Sequence, residues 1–193
     1  MKENSLLVII AAAGSGERFG GDTPKQYMQI NGKSVIENSV YPFLVSKYVK
    51  KVIIVISKND KFIEKQDFYN SKKVEFVEGG DSRQESIKNA LDLDNRDFEF
   101  VITHDAARPN VSEADVTNLY KDILNTNVSC SFLYTPVYDS IKLVGENDIT
   151  KDKDKFLLVQ TPQICRQEDL RNSLNKCIEN EVECPDESFA IEY

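Results

Sequence analysis

Short apolar runs alternate along the chain with segments whose apolar positions repeat every three to four residues. Leu6–Ile10 is rich in Leu, Val and Ile and is bounded by a glycine loop, and Val52-Ile53-Ile54-Val55-Ile56 is apolar throughout. Such runs suit strands covered on both faces of a sheet. Phe98–Ile102, Ser129–Tyr134 and Phe156–Val159 predict further strands, and Val74–Val77 a short one. Between them, Ile36, Val40, Phe43 and Leu44 share one helical face. Val116, Leu119, Tyr120, Ile123 and Leu124 repeat that stripe behind a cap at Ser112, with Asp115 three residues on, and Leu170, Leu174, Cys177 and Ile178 make another. Strand–helix alternation of this kind predicts an α/β domain with a mostly parallel sheet and right-handed crossovers. There is no internal repeat and no low-complexity linker.

One stretch departs from the pattern. From Asp139 to Lys155 the chain reads as two short strands, around Ile141–Val144 and Ile149, joined through Gly145–Asp148 and followed by the polar run Lys151–Lys155. An arm like this has little to bury within its own domain, which leaves a solvated excursion or a dimerisation element.

The chain has 193 residues, 24 Lys+Arg against 32 Asp+Glu, and a net charge of −8. The length suits one domain, and a hydrophobic fraction of 40% is enough for a core. The acidic excess argues against bulk binding of nucleic acid or an anionic membrane, which needs dense Lys/Arg, but leaves room for a local cationic pocket. A single histidine, His104, removes most zinc sites and every histidine-based nucleophilic scheme not built on it. Cys130, Cys165, Cys177 and Cys184 show no C-x-x-C spacing and read as thiols in a reducing cytosol. The longest apolar run, Leu6–Ala13, is far short of the roughly 20 residues that span a bilayer. It imitates a signal peptide, yet Glu3 spoils the positive start. A cytoplasmic protein is expected.

After the first strand comes Ala11-Ala12-Ala13-Gly14-Ser15-Gly16-Glu17-Arg18-Phe19-Gly20-Gly21, then Asp22-Thr23-Pro24-Lys25-Gln26-Tyr27. Small residues at a strand's C-terminal end let backbone N–H groups approach a phosphate. A Rossmann fingerprint would place its third glycine where Phe19 stands, and a Walker A loop would need Lys where Asp22 follows Gly21. Both readings fail. What remains is a glycine loop carrying Arg18 and Lys25, a planar fork and a point charge suited to phosphate oxygens.

This loop, ending in Pro24-Lys25-Gln26-Tyr27, resembles the signature of the 2-C-methyl-D-erythritol 4-phosphate cytidylyltransferases of the non-mevalonate isoprenoid pathway. Matching blocks follow in order: Gly79-Gly80-Asp81-Ser82-Arg83 through Ser86, His104-Asp105-Ala106-Ala107-Arg108-Pro109, Pro136-Val137-Tyr138-Asp139-Ser140, Gln160-Thr161-Pro162-Gln163, and Asp186-Glu187-Ser188 to Glu192-Tyr193. The related ribitol-5-phosphate cytidylyltransferases usually carry paired glycines where this chain has Ala12-Ala13, which favours the methylerythritol branch. The resemblance implies a Rossmann-like nucleotidyltransferase fold with a protruding β-arm at about 139–156. It also implies a homodimer through that arm, and a reaction in which CTP and a polyol phosphate give a CDP-polyol and pyrophosphate with Mg²⁺.

The nucleophile would be a phosphate monoester oxygen, already ionised at neutral pH because its second pKa is near ~6. No general base is needed; the difficulty is charge, which Lys/Arg clamps and Mg²⁺ relieve. Carried over from the family, Arg18 and Lys25 are the catalytic cations. Ala12, Ala13, Gly14, Gly16, Gly80, Asp81, Ser86 and Ala107 would hold CTP, with cytosine lying against main chain. Asp81, and Ser82 with Glu85, read equally as a helix cap before Ile87, Ala90 and Leu91. Asp105 and Arg108 match contacts around Mg²⁺, ribose and the second substrate. Mg²⁺ itself would be held mainly by the CTP phosphates, with Asp105 a possible ligand. His104 reads as structural. Ser140, Lys153 and Thr161 match the polyol-phosphate positions, the first two on the other subunit's arm. Threonine is common at the first and arginine at the second; Ser keeps the hydroxyl, whereas Lys loses the bidentate fork.

Family members continue past Glu192-Tyr193 into another strand and a helix, a segment that supplies a lysine to the polyol phosphate. Residues 1–193 are therefore expected to form a single nucleotidyltransferase domain without that last strand and helix. The alternatives are a ribitol-5-phosphate cytidylyltransferase, a catalytically weak nucleotide-binding protein, and a dinucleotide-dependent oxidoreductase, the last disfavoured by the glycine spacing.

Overall fold

Leu6–Ala11 forms the first strand, β1, and Leu6 to Ile10 are wholly shielded from solvent, as an uninterrupted aliphatic run requires. In the computed structural model, which describes residues 6–14, 23–93, 98–145 and 147–193, β1 lies near the centre of a six-stranded sheet. A small hairpin follows, β2 (Gln29–Ile30) and β3 (Lys33–Ser34), turning through Asn31 and Gly32 at φ 52° and 82°. Asn-Gly suits that left-handed two-residue turn. Then come α1 (Val35–Val45), β4 (Val49–Ile56), β5 (Val74–Glu78), α2 (Arg83–Leu93), β6 (Phe100–Asp105) and α3 (Glu113–Asn125). The chain continues as β7 (Cys130–Pro136), the arm strands β8 (Ile141–Lys142) and β9 (Thr150–Lys151), β10 (Leu157–Arg166), α4 (Gln167–Glu179) and α5 (Glu187–Glu192).

The sheet order is β5-β4-β1-β6-β10-β7. β4, β5 and β6 run parallel to β1 or to its neighbour, and β10 is antiparallel to both β6 and β7. Alternate residues divide the core between the two faces. Leu6, Val8, Ile10, Val52, Ile54 and Ile102 pack beneath α1 and α3, while Leu7, Ile9, Ile53, Val55 and Val101 pack beneath α2, α4 and Ala190 of α5. The expected mostly parallel α/β architecture with helices on both faces is the one observed. Among the described residues, no helix is long and apolar enough to cross a membrane.

Two strands differ from the sequence expectation. The run at Phe98–Ile102 enters the sheet only at Phe100 and continues through Thr103, His104 and Asp105. The Phe98 N–H instead donates to Gln167 Oε1 at 2.8 Å, and the polar residues stay in register opposite Ile9, Ile10 and Ala11 of β1. The strand expected at Phe156–Val159 is β10, ten residues long from Leu157 to Arg166. Its polar middle, Gln160-Thr161-Pro162, falls where the register with β7 shifts between Val159 and Gln163, so proline interrupts no regular ladder position. The capping box expected at Ser112 is present, with Ser112 Oγ accepting from Asp115 N–H and Asp115 accepting from Ser112 N–H. In the arm, Ile141 pairs with Lys151 and Lys142 with Thr150, apart from the main sheet.

Candidate active site

The chain runs outward from β1 to β4 and β5, then returns to β6 on the other side of β1. Loops at the carboxyl ends of these strands therefore diverge, and an open α/β sheet binds its ligands in that crevice. A cleft of about 910 Å³ lies there. Its first wall is Ala11–Gly14, leaving β1; its second is Gly80–Arg83 with Ser86, entering α2; its floor is Asp105–Arg108, leaving β6. Lys25 and Gln26 close one side and Pro185 another.

The first wall is fixed by its own hydrogen bonds. Ala12 N–H donates to Val55 O at 2.9 Å, and the buried Gln26 side chain donates to Ala12 O at 2.9 Å and Gly14 O at 3.1 Å. Each carbonyl oxygen keeps a second lone pair. Gln26 sits in a single 3-10 turn, Lys25–Tyr27, and Tyr27 anchors it by donating to Asp60 Oδ2 at 2.7 Å. Burial and the Asp60 carboxylate both push the Tyr27 hydroxyl far above its ordinary pKa, so it remains a donor. Lys25, between Pro24 and these two anchored residues, is exposed at the cleft.

Ser82 and Glu85 cap α2 reciprocally: Glu85 N–H donates to Ser82 Oγ at 3.2 Å and Ser82 N–H to Glu85 Oε2 at 3.0 Å. Gly80 N–H donates to Ser86 Oγ at 3.1 Å, which folds the loop back over the helix. Gly79 is required by close approach. A Cβ there would stand 2.6 Å from Ala13 Cβ and 2.9 Å from Ser86 Oγ, so the first and second walls touch through it. Gly79→Ala is expected to force the walls apart, costing about 1–3 kcal/mol of stability and raising the KM for a ligand held between them. Urea unfolding and steady-state kinetics check the two halves of that expectation. Gly14, by contrast, faces open space, with nothing within 4 Å of an added Cβ.

On the floor, Asp105 lies between two guanidinium groups, with Arg108 Nε 2.9 Å from Oδ2 and Arg83 Nη2 3.5 Å from Oδ1. Arg108 also bonds Gln160 Oε1. His104 is fully buried beneath them, its Nε2 3.0 Å from Arg108 O and its Nδ1 2.9 Å from Thr161 Oγ1. A carbonyl only accepts, so Nε2 carries the proton; Thr161 then donates to Nδ1 and accepts from Asp105 N–H at 3.2 Å. Burial pushes the His104 pKa down to about 4, and the ring stays neutral at pH 7. Its structural reading holds.

Of the residues expected in the site, Ala12, Ala13, Gly14, Lys25, Gly80, Asp81, Ser86, Asp105, Ala107 and Arg108 line this cleft. Thr161 adjoins it through Asp105 and His104. Ser140 and Lys153 are on the arm and do not line it; Lys153 Nζ donates to Tyr138 O at 2.7 Å. Gly16 and Arg18 lie outside the described residues. Sequence reasoning assigned no role to Gln26 or Arg83, although both stand in the quoted blocks, and none to Glu187, which holds Arg83 at 2.6 and 3.0 Å. Among the described residues, no three His, Cys, Asp or Glu side chains cluster as a metal cage. One cleft carboxylate such as Asp105 fits a divalent ion carried mainly by substrate phosphates, which is the usual way Mg²⁺ is held.

A glycine- and alanine-walled cleft at the switch point of a mostly parallel sheet, floored by cations, defines an α/β nucleotidyltransferase. A family model for 2-C-methyl-D-erythritol 4-phosphate cytidylyltransferase matches residues 6–193. A relative of that name from Wigglesworthia glossinidia brevipalpis is 35% identical over 189 residues, 97% of this chain and 82% of the relative. Another, from Alteromonas mediterranea, is 34% identical, covering 100% of this chain and 82% of the relative. The solved structure of the Francisella tularensis enzyme of the same name superposes with a TM-score of 0.81 at 32% identity, over 98% of this chain and 85% of that one. The chain belongs to the 2-C-methyl-D-erythritol 4-phosphate cytidylyltransferase family.

Proposed function

We infer that this protein transfers the cytidylyl group of CTP to 2-C-methyl-D-erythritol 4-phosphate, releasing pyrophosphate. The observation that carries the reading is the cleft itself, where a backbone wall for a base and the exposed Lys25 meet Arg83 and Arg108, which flank Asp105. A phosphate monoester oxygen of the acceptor attacks the α-phosphorus, the bond to the β-phosphate oxygen breaks, and pyrophosphate leaves with that electron pair. His104 contributes no proton transfer, since it is neutral and hydrogen-bonded on both nitrogens.

Lys25 and Arg18 are the catalytic cations of this reading. Ala12, Ala13, Gly14, Gly16, Gly80, Asp81, Ser86 and Ala107 hold CTP, with the Ser86 hydroxyl, which accepts from Gly80, still able to donate toward the base. Asp105 and Arg108 face the acceptor phosphate, and Thr161 belongs to that side of the site through its bonds to Asp105 N–H and His104. A Mg²⁺ ion, held by the CTP phosphates and Asp105, would neutralise phosphate charge when bound. The arm contributes Ser140 and Lys153 to the cleft of a second subunit. Its exposed apolar side chains, Tyr138 at 77% and Val144 at 87% with Ile149, support a surface covered by another copy. Four free thiols support a reducing, cytoplasmic setting. Ribitol 5-phosphate is the less favoured acceptor.

Pyrophosphate release measured with CTP, Mg²⁺ and each polyol phosphate tests the reading. Turnover with methylerythritol phosphate, at a higher kcat/KM than with ribitol phosphate, is the expected result; absence of turnover with either would sink it.

A further inference from the structure

We propose that Glu187 is a positioning residue for the transfer, acting through Arg83 on Asp105 and Arg108, and this rests on reading the cleft as the site of cytidylyl transfer. Glu187 is the first residue of α5, outside the cleft, and is 1% exposed. Its carboxylate receives three donors: Arg83 Nη1 at 2.6 Å on Oε1, and Arg83 Nη2 at 3.0 Å and Thr103 Oγ1 at 2.6 Å on Oε2. Arg83 opens α2, where the positive end of the helix dipole disfavours a cation. Helix electrostatics therefore do not explain its place. Burial alone would lower the Arg83 pKa, but Glu187, with Asp105 and Asp186, overrides this and holds the guanidinium charged.

The contacts close a ring. Thr103 and Asp105 stand two apart on β6 and so share a face of the sheet. Thr103 holds Glu187, Glu187 holds Arg83 by both oxygens, and Arg83 reaches Asp105 Oδ1 at 3.5 Å. Asp105 Oδ2 in turn holds Arg108 at 2.9 Å. With Glu187 neutralised, Asp105 is the carboxylate left within reach of the Arg83 guanidinium, with Asp186 acting only from farther off. That carboxylate is then drawn from Arg108, and the acceptor phosphate loses an ordered partner. The base-binding wall at Ala12–Gly14 and Gly80 is not part of the ring, and the CTP phosphates would carry most of the Mg²⁺ coordination, so CTP should be affected less than the acceptor.

The test compares wild type with Glu187→Gln, which keeps the side-chain shape and removes the charge. The KM for methylerythritol phosphate is expected to rise about 10–100-fold, as for the loss of a group that orients a ligand-binding side chain, with the CTP KM within about twofold. A contribution to folding alone would reduce the active fraction and lower apparent kcat while leaving both KM values in place, and that result overturns the proposal, as does unchanged kinetics. If Glu187→Gln does not fold, as judged by circular dichroism, the neutral pair Arg83→Gln/Glu187→Gln is measured instead. A raised acceptor KM with a retained CTP KM supports the proposal there, and wild-type values overturn it. Wild-type turnover is the separate control: without it the functional reading fails, whereas turnover in wild type with an indifferent Glu187→Gln defeats the positioning role alone.

Discussion

Lys25→Met is expected to lower kcat for pyrophosphate release about 100- to 1000-fold, as when a preorganised donor to developing charge is removed, while the KM for CTP changes no more than severalfold. The side chain is exposed at the cleft, so its loss should leave the unfolding midpoint in place. On the proposed function, what is lost is a point charge that would meet the negative charge building on the leaving pyrophosphate. The position of that charge is set by its neighbours, Gln26 hydrogen-bonded to the β1 loop and Tyr27 to Asp60, rather than by contacts of the ammonium itself. Lys25→Arg should recover part of the rate, since the charge is kept but its reach and hydration differ. Steady-state kinetics with both substrates varied gives the answer. A fall in CTP affinity with kcat intact would make Lys25 a binding residue and not a catalytic one.

The whole-chain charge of −8 gives no hint of such a site. An acidic protein can serve a reaction between two polyanions because only local cations matter at short range, where the protein's low dielectric lets a few of them count. Arg83 and Arg108 share Asp105, and Glu187 balances Arg83 from outside the cleft, so the cations there are placed by carboxylates rather than present in bulk excess. Excess acid elsewhere is screened by solvent and salt.

The strands near the sheet centre were legible because burial on both faces writes itself as unbroken aliphatic sequence: Leu6–Ile10 and Val52–Ile56 have no other use for such runs. Ser112 with Asp115 announced a helix start for an equally local reason. Only the start of β10 was legible, since Gln160, Thr161 and Gln163 sit in the strand for partners far along the chain: Arg108, Asp105 with His104, and Ser188. The Asn31-Gly32 hairpin carried a readable turn signal that the sequence analysis did not use. Within the site the same division holds. Loops at strand ends expose their chemistry in consecutive residues, so the glycine loop and Asp105–Arg108 stand out. Gln26 and Glu187 stand in blocks that the sequence marks, but they act across 12 and 104 positions, so their roles cannot be read from those blocks.

The Arg83–Glu187 pair carries the second large effect, on stability. Arg83→Met would leave the Glu187 carboxylate buried with Thr103 as its remaining side-chain partner, both residues being 1% exposed. Breaking a buried pair from one side typically costs about 3–5 kcal/mol, because the desolvated charge left behind has no compensation. Urea unfolding of Arg83→Met should show that loss as a lower midpoint at unchanged slope. The companion double variant, Arg83→Met/Glu187→Leu, removes both charges and should return to within about 1–2 kcal/mol of wild type, since an apolar replacement of a whole buried pair is often neutral. The contrast between the two variants is what identifies the cause. If Arg83→Met were as stable as wild type, water entering beside Pro185 would be solvating the carboxylate, and the ring from Thr103 to Asp105 would hold no strongly desolvated charge. If both variants fell equally, the loss would lie in packing of the Arg83 stem against α5 rather than in the charge it neutralises.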